Sequence, residues 1–420
     1  MTAVLCYNCL RRLLPTVPIH INKQRLCFKP RSSSIVFSVN SILTNGAVRF
    51  SSVEVAQKHP RSSKTKKPTH EDYPFMPLLA TQHVYVLHDG LAGQIVKAMK
   101  QAQVQPCVPV LESNPGPGIV TRKLFKAGLK QVIAVEALEG FIPYLKKLQQ
   151  EVGPKALAVF QWQYAATALP QWNPDAVYEH PKGSLTSLIS GKKDQYNKPP
   201  LSVLSLVPHL KERAFFMCLL NQWVAQQGLF ALCQPEWFVL ISADFYQSLV
   251  VAAMDENRPT KKFTNLAIIL QLVFDIQLCT KLPEGLFTPP FPQKRRKTKA
   301  HAVLPDLAEN MRYLVRFRQH PQPLISTSEL TVFSSFLKQL LQKRKDRIIP
   351  KMEKLIPGCG IHLILMGVSM MKKTGDLPIH LAVDIFRAMQ TWPEYEGSPM
   401  KQHLSQTAGS MHDEEPTDDS

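Results

Sequence analysis

The feature that most constrains this chain is a turn of glycines and prolines set between an apolar strand and an amphipathic helix. The run Val108-Pro-Val-Leu-Glu-Ser-Asn-Pro-Gly-Pro-Gly-Ile-Val-Thr121 starts with a short apolar strand, Val108 to Leu111. It passes Glu112 and enters a turn of Asn114, Pro115, Gly116, Pro117 and Gly118. A helical pattern follows, with Val120, Leu124 and Phe125, and Gly128 is its natural stop. Val132 to Val135 predicts a second strand ending in Glu136. Strand, glycine turn, helix, strand and terminal acid make a βαβ nucleotide-binding unit, so the fold class is α/β. The glycines let the backbone approach a ligand closely, and the strand-end acid can accept both ribose hydroxyls.

Charge and composition set the surroundings of that unit. The 420 residues, 45% of them hydrophobic, leave room for about two domains of roughly 100–200 residues. No stretch approaches the ~20 unbroken apolar residues of a membrane span, so no membrane insertion is expected. The net charge of +18 is uneven. Residues 1–53 carry seven basic side chains and no acid, and residues 286–400 carry 18 basic against nine acidic, while the middle is nearly balanced. An acid-free, serine-rich start with Arg11, Arg12, Lys23, Arg25, Lys29, Arg31 and Arg49 reads as a mitochondrial transit peptide over 1–53. The alternative is a basic tail that binds nucleic acid. Residues 54–75 read as a basic linker, and the acidic end, 401–420, as a disordered tail. Cys6, Cys9 and Cys27 lie in the leader, and Cys107, Cys218, Cys233, Cys279 and Cys359 are widely scattered. That spacing suits core thiols in a reducing compartment, not a zinc site or a disulfide set.

A dinucleotide site would read GxGxxG and cradle a pyrophosphate. Here the acid Glu112 precedes the turn, an order typical of S-adenosylmethionine-dependent methyltransferases. The runs Leu111–Thr121 and Ala134-Val-Glu-Ala-Leu-Glu-Gly-Phe-Ile-Pro143 together resemble the ribosomal RNA adenine dimethyltransferase family. The Asn-Pro-Gly-Pro-Gly form and Phe-Ile-Pro most resemble its mitochondrial transcription factor B branch, second type. Leu282–Pro292 is similar to the Phe-x-Pro-x-Pro strand that closes the family's catalytic domain. The resemblance implies a Rossmann-like, class I methyltransferase domain over 76–304 and a small α-helical C-terminal domain over 305–400. It also implies S-adenosylmethionine as the cofactor, held by Leu87, Glu112, Asn114, Gly116, Gly118, Glu136 and the residue at Trp162. No metal is implied.

The same resemblance shows where the catalytic pattern departs. Val86-Leu-His-Asp89 stands for the family's Phe-Leu-x-Asp, and Leu138 replaces the second acid after strand two. Trp162 stands at the strand-three Asp that receives the adenine amino group. The Asn-x-Pro-aromatic grip on the target adenine becomes Ser205-Leu-Val-Pro208 followed by His209. Methylating an exocyclic amine needs its hydrogens accepted and its base stacked. Ser205 donates as readily as it accepts, and His209 stacks less well. Each loss is worth about 1–3 kcal/mol, so Ser205, Pro208 and His209 read as an inherited, degraded target-base motif.

In the C-terminal third, Pro305-Asp306 reads as the cap of a helix with Leu307, Met311 and Leu314 inward and Arg312, Arg316 and Arg318 on other faces. Another helix is expected from Glu329 to about Lys345, and a last one near Leu377–Trp392. Two clusters, Lys294, Arg295, Arg296, Lys297 and Lys299, then Lys343, Arg344, Lys345 and Arg347, are candidate nucleic-acid contacts. Lys372-Lys373 reads as a solvated face. The resemblance implies a transcription initiation factor of the mitochondrial matrix nucleoid. Its partners would be mitochondrial RNA polymerase, promoter DNA and the DNA-packaging transcription factor. The rival readings are a dimethyltransferase of adjacent adenines in mitochondrial small-subunit rRNA, and a non-catalytic RNA-binding assembly factor.

Overall fold

Runs such as Val132-Ile-Ala-Val and Trp237-Phe-Val-Leu-Ile are fully buried along their whole length. That pattern belongs to strands covered by helices on both faces. The computed structural model describes residues 73–76, 83–163, 165, 168–171, 200–253, 264–289 and 310–409, all within one compact unit, Val48–Ser420. The expected transit peptide, most of the linker, Lys294–Lys299 and the acidic end beyond Gly409 lie outside the described residues.

The chain enters through α1 (Asp89–Gln101), β1 (Val110–Ser113), α2 (Ile119–Lys126), β2 (Val132–Glu136), α3 (Ile142–Val152) and β3 (Leu157–Gln161). It continues through β4 (Pro200–Leu206), α4 (Glu212–Ala225), α5 (Leu229–Leu232), β5 (Gln234–Ser242), α6 (Ala243–Ala253), α7 (Asn265–Val273), β6 (Phe274–Pro283) and β7 (Met311–Gln319). The sheet runs β3-β2-β1-β4-β5-β7-β6. Strands β1 to β5 pair in parallel, and β7 lies antiparallel between β5 and β6. The strand order reverses between β1 and β4, the place where an open α/β sheet leaves a ligand crevice.

Side chains alternate across the sheet with the two-residue period of strands. Val203, Val239, Ile241, Tyr313, Val315 and Phe317 join the larger core, while Leu204, Leu206, Phe238, Leu240 and Leu314 join the one under α1, α2 and α3. The larger core continues into α8 (Thr327–Leu341), α9 (Ile348–Leu355), α10 (Gly360–Leu365), α11 (Ile379–Met389) and α12 (Pro399–Gly409). A capping box, Ser326 with Glu329, starts α8, and its Leu330, Phe333, Leu337 and Leu340 are buried as their spacing predicts.

Three expectations need correction. Residues 311–319 are strand β7, not a helix. Tyr313, Val315 and Phe317 repeat every second residue and face the core, and this pattern overrides the Leu307/Met311/Leu314 spacing. The described helical part therefore begins at Thr327, beyond the sheet; the expected helix cap at Pro305-Asp306 and Leu307 lie outside the described residues. Residues 401–409 belong to helix α12, with Met400 and Leu404 buried, so the tail cannot begin at 401. Cys107 is exposed, although Cys233 and Cys359 are core thiols.

Candidate nucleotide-binding site and target-base pocket

The glycine turn forms as read. Strand β1 runs two residues further than expected, which puts Glu112 inside it, fully buried. Asn114 and Gly116 both take left-handed backbone, with φ of 50° and 61°. Asn114 tolerates that region because its short side chain is compatible with it. At Gly116 a Cβ would lie 3.1 Å from the Tyr85 ring and 3.7 Å from Leu87. Gly118 serves another purpose. Its Cβ would meet Leu148 at 2.9 Å, so this glycine seats α2 against α3 and does not face a ligand.

At the end of β2, the Glu136 carboxylate is fully buried and already engaged. Its Oε1 accepts the Tyr85 hydroxyl at 3.0 Å and the Leu138 N–H at 2.8 Å; its Oε2 accepts the Gly116 N–H at 2.9 Å. Burial pushes Glu136 up to about 7 against the pull of those donors. Burial and the Glu136 charge raise the Tyr85 hydroxyl, which stays protonated and donates. Behind Tyr85 stands Phe141, 4.9 Å away between ring centroids, with Tyr73 and Phe75 packed on Phe141 in turn. Tyr85, Leu87, Met76 and Phe141 form a small separate core over the turn.

The other end of the crevice is different. Glu112 Oε2 accepts the Thr121 hydroxyl at 2.7 Å. Among the described residues neither its Oε1 nor either polar atom of the buried Asn114 amide has a hydrogen-bond partner. Burial raises Glu112 to about 8; the Thr121 hydrogen bond opposes the rise and the Glu136 charge adds to it. Unpaired buried polar atoms are costly unless a ligand or water meets them.

Across the switch point, the Ser113 hydroxyl donates to the Ser205 hydroxyl at 3.3 Å and accepts the Leu206 N–H at 3.3 Å. Ser205 is thus tied to β1 and wholly buried. The Pro208 carbonyl accepts Lys211 N–H at 2.9 Å, closing the turn that starts α4. His209 lies half-buried beside the Glu212 carboxylate, with Nδ1 3.6 Å from Oε2. Glu212 also accepts the Ser242 N–H at 2.6 Å and hydroxyl at 2.7 Å, and meets Arg312 Nη1 at 3.2 Å. Arg312 is completely buried and donates through Nη2 to the Val207 carbonyl at 2.8 Å. A buried ion pair thereby holds the loop Val207-Pro208-His209 from below. Trp162 follows β3, and its backbone N–H donates to the Glu136 carbonyl at 2.9 Å.

The strand ends therefore gather Glu112, Asn114, Gly116, Glu136, Trp162, Ser205, Pro208 and His209 along one edge of the parallel sheet, with Leu87 over the turn. Lys343, Arg344, Lys345 and Arg347 lie in the loop after α8. Backbone bonds to Lys372, Thr374 and Gly375 pin that loop. Lys343, Lys345 and Arg347 are exposed, and Arg344 is half-buried. Sequence reasoning missed Tyr85, Ser113, Glu212 and Arg312. Phe141 was visible only as part of Phe-Ile-Pro.

The seven-stranded order with one antiparallel strand, together with the glycine turn and the acid ending β2, defines the Rossmann-like fold of the S-adenosylmethionine-dependent methyltransferase class. The profile of the family described as Ribosomal RNA adenine dimethylase matches residues 92–391, and the chain belongs to that family. It is 25% identical over 294 residues to "Dimethyladenosine transferase 2, mitochondrial" of Drosophila melanogaster, covering 67% of this chain and 62% of the fly protein. The Mus musculus protein of the same name is 23% identical over 275 residues, 63% of this chain and 66% of that one. The chain thus spans less than two thirds of the length of these relatives. A dimethyladenosine transferase structure from Plasmodium falciparum superposes with a TM-score of 0.46 at 13% identity, over 73% of this chain and 97% of that one.

The residues fit S-adenosylmethionine at one end. The unpaired Asn114 amide and Glu112 Oε1 offer polar atoms to the cofactor's amino-acid end. A carboxylate has about four lone-pair sites, and on Glu136 the Tyr85 hydroxyl and the Leu138, Gly116 and Ala137 N–H groups already approach them. Holding both hydroxyls of a ribose there requires the Tyr85 hydroxyl to leave.

Proposed function

We propose that this chain is a mitochondrial transcription initiation factor built on an rRNA adenine dimethyltransferase scaffold. The observation that carries the reading is the bond from Tyr85 to Glu136, by which the protein spends on itself the acceptor that a ribose needs. Trp162 at the family's adenine-amino acceptor, and Ser205 turned toward Ser113, weaken methyl transfer in the same direction. The Asn-Pro-Gly-Pro-Gly turn and Phe-Ile-Pro support the transcription branch of the family.

In this reading the chain is delivered to the mitochondrial matrix nucleoid by its first 53 residues, in keeping with the mitochondrial names of its relatives. It joins mitochondrial RNA polymerase at promoter DNA dressed with the DNA-packaging transcription factor. Opening the duplex costs about 1.4 kcal/mol per base-pair step. A factor that binds the separated strand more tightly than the duplex shifts opening by its difference in affinity. The exposed Lys343, Lys345 and Arg347, together with Lys294–Lys299, would supply phosphate contacts.

The test compares a closed promoter with one pre-melted at the start site, using purified chain and polymerase. The transcript from the closed template should depend on the chain and that from the melted template much less. Equal dependence on both refutes the melting role. The rival reading is dimethylation of adjacent adenines in mitochondrial small-subunit rRNA. The unpaired Glu112 and Asn114 atoms favour it. Under that reading Ser205→Asn, which restores the acceptor, raises transfer of labelled methyl groups; under ours transfer stays at background.

A further inference from the structure

Helices α1 and α2 leave between them a groove of about 470 Å³ that plays no part in the site above. Four lysines line it, Lys97 and Lys100 from α1 and Lys123 and Lys126 from α2, together with Gly93, Val96, Gln101 and Ala127. No acid lines it. Lys97, Lys100 and Lys126 are exposed, and Lys123 meets the outlying Asp89 carboxylate at 2.7 Å.

Helix dipoles account for part of this, since Lys100 lies in the last turn of α1 and Lys123 and Lys126 in that of α2. They do not account for the convergence. Each helix places its two lysines three residues apart, a like-charge spacing that costs a helix about 0.2–0.5 kcal/mol. Both pairs then face one groove, where their repulsion adds and where a polyanion would relieve it. No aromatic ring lines the groove, so it offers no surface for base stacking. Lysine is a compact point charge, suited to phosphate and not to reading base edges.

We infer that the α1–α2 groove is a second nucleic-acid contact, which takes the sugar–phosphate backbone of DNA or RNA without regard to sequence. It widens the proposed function by one surface and stands on the groove alone, whatever the chain does with polymerase.

The test uses the full chain carrying Lys97→Gln, Lys100→Gln and Lys126→Gln together; Lys123 is kept because it pairs with Asp89. Binding of labelled duplex DNA, duplex RNA and polyglutamate is followed by fluorescence anisotropy over a salt series. Each phosphate contact contributes about 0.9 to the slope of log K against log salt on duplex DNA. The triple variant should therefore lose about 2–3 from that slope and bind about tenfold or more weakly at low salt. The loss should be the same for unrelated sequences. DNA and RNA affected alike make the backbone the ligand; a loss on only one names that nucleic acid. A companion variant with arginine at the three positions keeps the charge and should keep the slope. An unchanged slope in the glutamine variant overturns the inference. So does loss of slope in the arginine variant, or a loss confined to polyglutamate, which would make the groove a site for acidic protein. Polymerase is absent throughout, so failure here and failure of the initiation reading are separate results.

Discussion

Replacing Tyr85 by phenylalanine removes one oxygen and should act on both stability and cofactor affinity. The lost hydroxyl donates to a buried carboxylate at 3.0 Å, and hydrogen bonds to charged groups contribute about 1.5–3 kcal/mol. Glu136 keeps the Leu138 and Gly116 N–H groups at 2.8 and 2.9 Å, so the cost should fall near the low end, about 1.5 kcal/mol. The same change frees a lone pair on Oε1 for a ribose hydroxyl. One recovered hydrogen bond of that size corresponds to about tenfold in affinity. The phenyl ring still covers Gly116, so the gain in the Phe variant should be about three- to tenfold. Tyr85→Ala clears the ring as well and should gain more, while losing about 3–5 kcal/mol of stability through the cavity it leaves. Equilibrium dialysis with labelled S-adenosylmethionine reads the affinity, and urea unfolding reads the stability. Tight binding by the unaltered chain, with no gain in either variant, would refute the argument that Tyr85 competes for Glu136.

Arg312→Met removes one member of a fully buried ion pair and strands the Glu212 carboxylate. It should cost about 3–5 kcal/mol in urea unfolding; a surface arginine on a helix would give almost no change. Adding Glu212→Gln should recover part of that loss. Glu112, raised to about 8, and Glu136, raised to about 7, hold protons in the folded chain that the unfolded chain releases near the ordinary carboxylate value of 4.5. Their contribution is complete below about pH 4.5 and is lost as pH rises through about 7–8. The melting temperature should therefore fall between about pH 5 and 8, and Glu112→Gln should flatten the decline; a rise in melting temperature over that range would contradict both assignments.

The legible parts of this protein were those written in short stretches of chain. The glycine turn, helix α2 with its Gly128 stop and strand β2 ending in Glu136 each follow from neighbouring residues. The core stripe of α8 follows from a three-to-four-residue repeat. What stayed hidden depends on pairs far apart in sequence. Tyr85 meets Glu136 from 51 residues away, and Ser113 meets Ser205 from 92. Arg312 reaches the Val207 carbonyl from 105 residues away. An arginine in a sequence reads as solvent-facing, and here the Glu212 carboxylate with the Val207 and Leu240 carbonyls offsets the cost of its burial. That same arginine disguised β7, because the alternation Tyr313, Val315, Phe317 was read against a helical spacing of leucines and methionine. Gly118 illustrates a subtler point. It matches the expected turn in identity and position, yet its missing side chain serves the packing of α2 on α3.

The most direct test of the central claim is run-off transcription from a linear mitochondrial promoter with residues 54–420, mitochondrial RNA polymerase and the DNA-packaging factor. The account predicts a start signal that vanishes when this chain is omitted and persists without S-adenosylmethionine. A signal indifferent to the chain, accompanied by methyl transfer to adjacent adenines of small-subunit rRNA, would contradict it.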